Sequence, residues 1–477
     1  MTALHHRLVT SGMVTLALMT AGCGGSALRP SEAVPVNAAM HGVVSGPGAS
    51  LPRSPLVSAP GVTTVPTSGP TNGLLPVAEQ QDHHQVGQRG PGLLPGAPVV
   101  EACTRLHRGT GITDSTITIA NASDVTGPVP GIFTSAQQAT RAFVAYFNAH
   151  ASLCGRKLQV LDLDSRTDAG GDQRAYTAAC DRAFAAVGSM SAFDSGGART
   201  AEGCGLPDIR SQSVSDARNE CRTCFGAQAT ELHAFQNAIP DFLVAHHAAA
   251  AKKAAIIYVS QAAAVETAKY TRRAEESRGM HFVYDTTFDV AEFNYAPYVQ
   301  AMKDKGVRLV QFIGSSDQAV RMAQAMQTYQ FKPEVFVQDA TAYNAGFLAT
   351  GGAAVEGAYV YVNFLPFEDA GSNAEMKLYR AWLQQVAPGA VPTYFGLFAW
   401  SAARLFVEQA QALGSDLTRA TLVRRMRGVT AWTDHGLHAP QPVGPKKNSS
   451  CWRFLEARDG RWVPIGHGYL CRGSTVT

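Results

Sequence analysis

The sequence predicts an α/β protein with two doubly wound lobes, each built on a mainly parallel sheet, behind a disordered N-terminal tether. Short apolar strand patterns alternate with amphipathic helix patterns from about residue 104 onward. Such alternation is typical of parallel sheets covered by helices on both faces. The units are too numerous for one small domain, which indicates two similar lobes.

The chain begins with the layout of an export signal. Arg7 precedes an apolar run from Leu8 to Met19, and the small residues Ala21-Gly22 precede Cys23. Small residues mark the cleavage site, so we expect residues 1–22 to be removed. The cysteine at the cut resembles the lipobox of bacterial lipoproteins, although Thr20 stands where leucine is usual. A plain secretory signal is the alternative. An uncleaved membrane helix is disfavoured because a span needs roughly 20 apolar residues.

Residues 23–102 are expected to form a tether. Proline and glycine recur from Gly24 to about Val100, with no hydrophobic period between them. Such a segment buries too little apolar surface to offset its ordering entropy, which predicts disorder. With a lipid on Cys23, the tether would hold a folded, monomeric head on the outer face of the cell membrane.

Composition narrows the classes of partner. Apolar residues make up 45% of the 477, enough for a substantial core, and the formal net charge is +3. A charge this small predicts no nucleic-acid partner, and no later segment is apolar enough to span a bilayer. The membrane contact that we expect is therefore the lipid on Cys23.

Eight cysteines remain after Cys23, and an even number in an exported chain indicates up to four disulfides. We expect the pairs Cys154–Cys180 and Cys451–Cys471, and a bond from Cys204 to Cys221 or Cys224. Cys103 completes the set. The C-x-x-C at Cys221 to Cys224 lacks the second pair or histidines of a zinc site, so a structural disulfide is favoured and no metal is predicted.

The first elements follow in strand–helix order. Thr116 to Ala120 is an apolar strand, and the S-x-x-Q pattern at Ser135 to Gln138 predicts a capping box that opens a helix. Further predicted elements are a strand at 158–163, a helix at 172–183, a strand at 184–187 and, after a cysteine-rich segment, a helix at about 229–247.

The second half repeats the alternation. Its predicted elements are strands at 254–259, 281–288, 309–313 and 335–338 and helices at about 263–278, 296–305 and 317–329. The tail differs, because two aromatic strands around residues 452–456 and 462–465 flank Asp459-Gly460. That dipeptide at the turn predicts a hairpin.

Eight short segments occur in the order found in a known family. They are Gly111-Ile112-Thr113-Asp114, Gly127-Pro128, Phe147-Asn148, Gly155-Arg156-Lys157-Leu158, Ala186-Val187-Gly188-Ser189, Gly357-Ala358-Tyr359, Gly436-Leu437 and Asp459-Gly460-Arg461-Trp462. In this order the chain resembles the type I periplasmic binding proteins, and within them the branched-chain amino-acid-binding proteins that serve ABC importers. The resemblance covers about residues 111–465. It also favours Cys154–Cys180, because that family often closes a loop there.

The resemblance implies two lobes joined by three crossovers, near Ile239-Pro240, Pro366 and Gly436. The first lobe would comprise residues 104–239 and 366–436, and the second lobe residues 240–365 and 437–472. A small solute would bind in the cleft between them, where loops follow the carboxyl ends of the strands.

Two first-lobe loops are rich in hydroxyl groups. Ser189 and Ser191 follow one predicted strand, and Ser213 and Ser215 follow the next. Hydroxyls and helix N-termini suit an anionic group of the solute. The alternative is that these serines only cap helices.

The second lobe departs from the family pattern. The loops Ser260-Gln261-Ala262-Ala263-Ala264 and Gly314-Ser315-Ser316-Asp317 lack the aromatic residues that relatives place there. Asp339 is the candidate partner of a solute amino group, with a turn cap as the alternative, and Tyr343 lies nearby. The fold is therefore implied, while leucine or valine as the solute is not.

These features predict an extracytoplasmic solute-binding lipoprotein that serves the permease and ATPase of an ABC importer. A sensor or scaffold of the same fold is the alternative. An exported hydrolase is disfavoured because the sequence has no G-x-S-x-G, H-E-x-x-H, Walker or G-x-G-x-x-G pattern in a suitable context. We expect no cofactor and no catalytic residues.

Overall fold

The first part of the fold is a parallel five-stranded sheet. This computed structural model describes Cys103, residues 106–231 and residues 233–477, without the side chains of Ala262 and Ala263. The signal peptide, Cys23 and the tether lie outside these residues. The strands are β1 (Thr116–Ser123), β2 (Lys157–Asp164), β3 (Ala185–Val187), β4 (Asp208–Gln212) and β5 (Cys224–Gln228). Their spatial order is β2-β1-β3-β4-β5, and all four pairings are parallel.

Helices connect these strands and cover the sheet. They are α1 (Thr134–His150), α2 (Ala169–Arg182), α3 (Ser195–Gly203) and α4 (Asp216–Glu220). α2 begins three residues before the predicted start because the Asp168 carboxylate accepts hydrogen bonds from the N–H groups of Gly170 and Gly171.

The predicted capping box of α1 is wrong. The helix starts at Thr134, and its first turn has no side-chain cap. Ser135 Oγ instead accepts a hydrogen bond of 2.8 Å from Thr393 Oγ1. The serine thus links α1 to a helix from much later in the chain, which no local pattern reveals.

The predicted helix at 229–247 is also wrong in its first half. The chain forms β6 (Ala234–Gln236) before α5 (Ala238–His246) and α6 (Ala248–Ala251). β6 pairs antiparallel with β14 (Ser474–Val476), a partner at the other end of the chain. Pro240 lies in the first turn of α5, where its missing N–H costs no helical hydrogen bond.

The second sheet has seven strands. Between α6 and the hairpin the chain forms β7 (Ala254–Val259), α7 (Ala262–Ser277), β8 (Phe282–Phe288), α8 (Ala296–Asp304), β9 (Leu309–Ile313), α9 (Ser316–Thr328), β10 (Val335–Gln338), α10 (Ala345–Gly351) and β11 (Ala358–Val362). These strands are parallel, and β12 (Cys451–Arg458) and β13 (Arg461–Cys471) extend the sheet antiparallel beyond β11. Asp459 and Gly460 form the hairpin turn with φ of +51° and +69°, so that prediction is confirmed.

Three late helices return to the first sheet. They are α11 (Ala374–Val386), α12 (Tyr394–Leu413) and α13 (Arg419–Met426). α12 packs against β3, β4 and β5 opposite α2 and α3, so both faces of the first sheet are covered. Short 3-10 helices occupy 340–342, 352–355, 367–372 and 414–416. The predicted fold class, with two doubly wound lobes, is confirmed. The exact lobe boundaries stay a prediction.

The chain passes between the sheets three times: after β5, after β11 and after α13. The second and third crossovers pair with each other, because Leu365 N donates to Leu437 O at 2.9 Å and Ala439 N donates to Asn363 O at 2.8 Å. Three passages restrict relative motion of the lobes to bending about these strands.

Four disulfides join the eight cysteines: Cys103–Cys154, Cys180–Cys204, Cys221–Cys224 and Cys451–Cys471. The last pair and the bonded C-x-x-C agree with expectation. The expected Cys154–Cys180 bond, and a bond from Cys204 to Cys221 or Cys224, are wrong. Cys180 lies on α2, and its neighbour is Cys204 at the end of the packed helix α3, with Cα atoms 6.0 Å apart.

A buried histidine lies on the third crossover. His438 is 2% exposed, its Nε2 lies 2.8 Å from Ser401 Oγ, and its Nδ1 donates to Ala439 O at 3.0 Å. Trp432 Nε1 donates to the same Ser401 oxygen, so the serine proton is directed to Nε2 and the ring is neutral. Burial lowers the pKa of His438 to about 4.

We expect the free energy of unfolding to fall as the pH is lowered from about 6.5 to 4. The unfolded chain takes up the His438 proton below about 6.5, whereas the folded chain resists it, so the loss approaches about 3 kcal/mol. Urea unfolding at pH 7.5 and 4.5 measures it. A His438→Gln variant should lose this part of the acid sensitivity, and an equal pH dependence in both proteins would contradict the assignment.

Candidate functional site

The carboxyl ends of the parallel strands carry most of the predicted site residues. In an open parallel sheet ligands bind at this edge, where loops lead into helices. Ser189 follows β3, Ser213 follows β4, and Asp339 follows β10 of the second sheet. The topology therefore places these residues at the binding edges of their sheets.

Asp124, which sequence reasoning missed, fixes the loops of the first sheet. It follows β1 and is fully buried. Its Oδ1 accepts hydrogen bonds from Ser165 Oγ, Thr167 N and Ser191 Oγ, and its Oδ2 accepts one from Ala192 N at 2.8 Å. One carboxylate thus holds the loops after β2 and β3 against the end of β1.

Gly188 allows the loop after β3 to approach two helices. Its φ is +68°, and a Cβ atom there would lie 2.2 Å from Thr140 Oγ1 of α1 and 3.1 Å from Ala399 O of α12. A larger residue would therefore push the loop away from α1 and α12.

Three of the four predicted serines already have protein partners. Ser189 Oγ accepts from Ala122 N at 3.0 Å, and Ser191 Oγ accepts from Phe193 N while donating to Asp124. Ser215 caps α4 through Arg218 N. Only Ser215 has the helix-capping role that was the alternative, whereas Ser189 and Ser191 bind backbone N–H groups of β1 and of their own loop. Ligand contact by these side chains stays a prediction.

Ser213 is different. Its side chain is 3% exposed, and its Oγ forms no hydrogen bond with the described residues. The Ser213 Oγ is not one of the fully buried side-chain atoms that lack a partner, so its remaining exposure leaves it open to water or a solute. Ser213 is the best candidate donor of the first lobe.

A buried ion cluster lies behind these loops. It combines two guanidinium groups, three carboxylates and one phenol, none with measurable exposure: Arg210, Arg218, Asp172, Asp194, Asp208 and Tyr176. Arg218 donates to Asp208 at 2.9 Å and to Asp172 at 2.8 Å, and its guanidinium carbon lies 4.0 Å from the Tyr176 ring centroid. Arg210 Nη1 donates to Asp208 at 3.3 Å.

Asp194 connects this cluster to the loop after β4. One carboxylate oxygen accepts from Val214 N at 2.9 Å, and the other accepts from Ser215 Oγ. Its backbone carbonyl accepts from Arg218 Nε at 2.9 Å. The loop that carries Ser213 is therefore held by a residue of the loop after β3.

The cluster holds one carboxylate more than it has arginines. Burial raises the pKa of Asp172 to about 6, although Arg218 and Arg210 lower it. The Asp172 Oδ2 atom still accepts hydrogen bonds from Gly197 N and Arg218. Asp172 is thus the member of the cluster whose raised pKa favours uptake of a proton as the pH falls toward 6.

Asp339 is a desolvated carboxylate without a cation. Its Oδ1 accepts a hydrogen bond of 2.8 Å from Thr341 N, so the predicted turn cap is present. Burial raises its pKa, and no arginine or lysine of the described residues opposes that shift. In the register of β10 and β11, Asp339 lies beside Tyr361, whose pKa is raised by burial and by the Asp339 charge.

Tyr394, also missed, connects Asp339 to the first sheet. It starts α12, and its hydroxyl donates to Gln212 Oε1 of β4 at 3.1 Å. Burial and the Asp339 carboxylate raise the pKa of Tyr394 well above its usual value. The strand end of β10 therefore faces groups of the first lobe. No element was predicted from the sequence at this residue, so Tyr394 gave no signal.

The Tyr343 side chain is buried, and its hydroxyl already has protein partners. It is 1% exposed, its hydroxyl donates to Glu368, and it accepts from Phe367 N at 2.7 Å. Its ring stacks on Phe367 with centroids 5.3 Å apart. The structure thus brings Asp339 to the first lobe and ties Tyr343 to the second crossover, and solute contact by Tyr343 stays a prediction.

Phe193, in the loop between Ser191 and Asp194, is 39% exposed and adds an apolar surface at the first-lobe edge.

Among the described residues, no group of three or more His, Cys, Asp and Glu side chains is placed to hold a metal ion. In the same part of the chain, no helix is long and apolar enough to span a membrane.

A family model described as periplasmic binding protein matches residues 116–461. No curated protein matches the sequence significantly. A leucine-binding protein from Thermotoga maritima is 13% identical, with a TM-score of 0.63 over 73% of this chain and 98% of that one. A fatty acid ABC transporter substrate-binding protein from Thermomonospora curvata is 17% identical, with a TM-score of 0.66 over 77% and 95%.

An R. palustris solute-binding protein in complex with 4-hydroxybenzoate is 14% identical, with a TM-score of 0.62 over 75% of this chain and 98% of that one. Identities this low establish a shared fold. The three neighbours differ in their stated solutes, so the fold alone leaves the solute of this chain open.

Replacing Arg218 by methionine should lower the free energy of unfolding by about 3–5 kcal/mol, because Asp172 and Asp208 would lose a buried cation. Arg174→Met is the matched control. Its side chain is 67% exposed beside Asp168, so the expected loss is below about 1 kcal/mol. Urea denaturation measures both, and equal losses would refute the structural role of the cluster.

Proposed function

Because the chain belongs to the periplasmic binding protein family, we propose that it is an extracytoplasmic lipoprotein that captures a small polar solute for an ABC importer. The solute would lie between the strand ends of the two sheets. The permease and ATPase of the importer would be its partners. It would bind without chemical conversion of the solute.

The observation that carries this proposal is the position of Asp339. A desolvated carboxylate without a cation lies at a strand end of the second sheet and influences Tyr394, which hydrogen-bonds to Gln212 of the first sheet. A carboxylate in such surroundings favours an arriving ammonium group, which restores its ion pairing and lowers its pKa. The neighbouring phenol rings of Tyr361 and Tyr394 are also favourable to a cation.

The first lobe supplies complementary chemistry. Ser213 has a hydroxyl without a partner among the described residues, which can donate to an anionic group of the solute. The nearby N–H groups of Ala192 and Val214 are already bonded to Asp124 and Asp194. A solute with an anionic end and an amine, such as an amino acid, an amide or a related compound, fits both sides. Binding to both lobes would favour their closure, because the solute then prefers the closed state.

The solute can be identified by a thermal-shift screen in which the full chain is mixed with amino acids, amides and aromatic acids. A true solute at 100 times its Kd should stabilise the fold by about 2.7 kcal/mol. Asp339→Asn should weaken an amine-bearing solute about tenfold to a hundredfold, because a hydrogen bond to a charged group is lost. Asp317→Asn, in the exposed first turn of α9, is the control. Unchanged affinity in Asp339→Asn would remove Asp339 from the site.

The lipid anchor predicts a second result. Cys23→Ser should move the protein from the membrane fraction to the soluble extracytoplasmic fraction, since the acylated thiol would be absent. Fractionation followed by immunoblotting measures the distribution, and Cys471→Ser serves as a control for cysteine loss elsewhere. Membrane retention of Cys23→Ser at the wild-type level would contradict lipidation at this residue.

A further inference from the structure

His233 lies on the first crossover, between β5 and β6, and contacts elements of both lobes. It is outside the proposed solute site. Its Nε2 lies 2.7 Å from Asp216 Oδ1. Its ring meets the Tyr270 ring edge-on, with centroids 4.2 Å apart.

The first contact reaches the first-lobe binding loop. Asp216 is the first residue of α4, directly after the capping residue Ser215. Ser215 in turn donates to Asp194, which holds Val214. The loop that carries Ser213 is therefore linked to His233 through Asp194, Ser215 and Asp216.

The second contact reaches the second lobe. Tyr270 lies on α7, which packs against β7 and β8 of the second sheet. Burial and Glu266 raise the pKa of Tyr270, and Asp216 adds to the shift. The Asp216 charge therefore acts on a side chain of the opposite lobe, with the imidazole between them.

The backbone at His233 is constrained. Its φ is +63°, in the left-handed region that non-glycine residues seldom adopt. Its carbonyl accepts from Thr477 N at 2.8 Å, and β6 begins at the next residue and pairs with β14. A strained conformation that the surroundings hold in place is common at residues that govern conformational change.

The hydrogen bond between His233 and Asp216 has a strength that suits a hinge between two lobes. The His233 and Asp216 side chains are 41% and 58% exposed, so their hydrogen bond contributes less than about 1 kcal/mol. A hydrogen bond of this strength contributes little to the free energy of unfolding. It is enough to shift a balance between two lobe arrangements of similar energy about two- to fivefold.

We propose that His233 is a positioning residue that couples the first-lobe binding loop, through Asp216, to α7 of the second lobe and so sets the population of lobe arrangements. Its effect on solute affinity rests on the proposed function. Its effect on lobe separation does not, because both contacts of His233 are with residues of the chain.

The test measures the distance between the lobes in the full chain without added solute. Keto-bearing spin labels at Arg199 of α3 and Gln300 of α8, both exposed, avoid the native cysteines. Double electron–electron resonance then gives the distance distribution. In His233→Asn, whose asparagine tolerates the positive φ, the population at the wild-type distance should fall about two- to fivefold relative to the rest.

Tyr270→Leu should produce the same redistribution, because it removes the ring on the other side. His467→Asn, an exposed histidine on β13, should leave the distances unchanged. Thermal unfolding midpoints show that the variants remain folded. Wild-type distances in both His233→Asn and Tyr270→Leu would overturn the proposal, whether or not a solute is later found.

Discussion

The burial of five charged groups behind the binding loops is the constraint on which the first lobe depends. Two guanidiniums and three carboxylates without solvent must satisfy one another, and removal of either arginine leaves buried carboxylates uncompensated. Asp194 belongs to this cluster and also holds Val214 and Ser215. The loop that carries Ser213 is therefore held by a carboxylate that belongs to the cluster. The short loop after β4 is thus held in position by a charged side chain that lies behind it.

Much of the fold was predictable because its elements carry local signals. The strands Ala254–Val259 and Leu309–Ile313 match their predicted bounds, since each is a short apolar run, broken in the second only by Gln311. The Asp459-Gly460 turn was equally clear, because few other dipeptides adopt its positive φ angles. β6 was missed for the opposite reason. Its pairing partner β14 lies at the far end of the sequence, and Ala234–Gln236 has no periodicity of its own.

The positions of the candidate site residues were predictable from the sequence, but what their side chains do was predictable only in part. Topology places loops after β3, β4 and β10 at the binding edges, so Ser189, Ser213 and Asp339 could be located from strand order. Which hydroxyl is free could not be known, because capping and ligand binding use the same residue types. Tyr394 was missed because its position follows from the packing of α12. The predicted bonds of Cys180 and Cys204 failed similarly, because spacing along the chain does not show that α2 and α3 bring these two cysteines together.

The sequence positions of the first lobe have a consequence for folding during synthesis. All charged members of the buried cluster lie between Asp172 and Arg218, so they emerge from the ribosome close together. α12, which covers the other face of the same sheet, is encoded almost two hundred residues later. α1 covers β1 and β2 early, but the same face of β3, β4 and β5 has to wait for α12 until most of the second lobe has been made. A holding chaperone has its clearest reason to act on that face, during that interval.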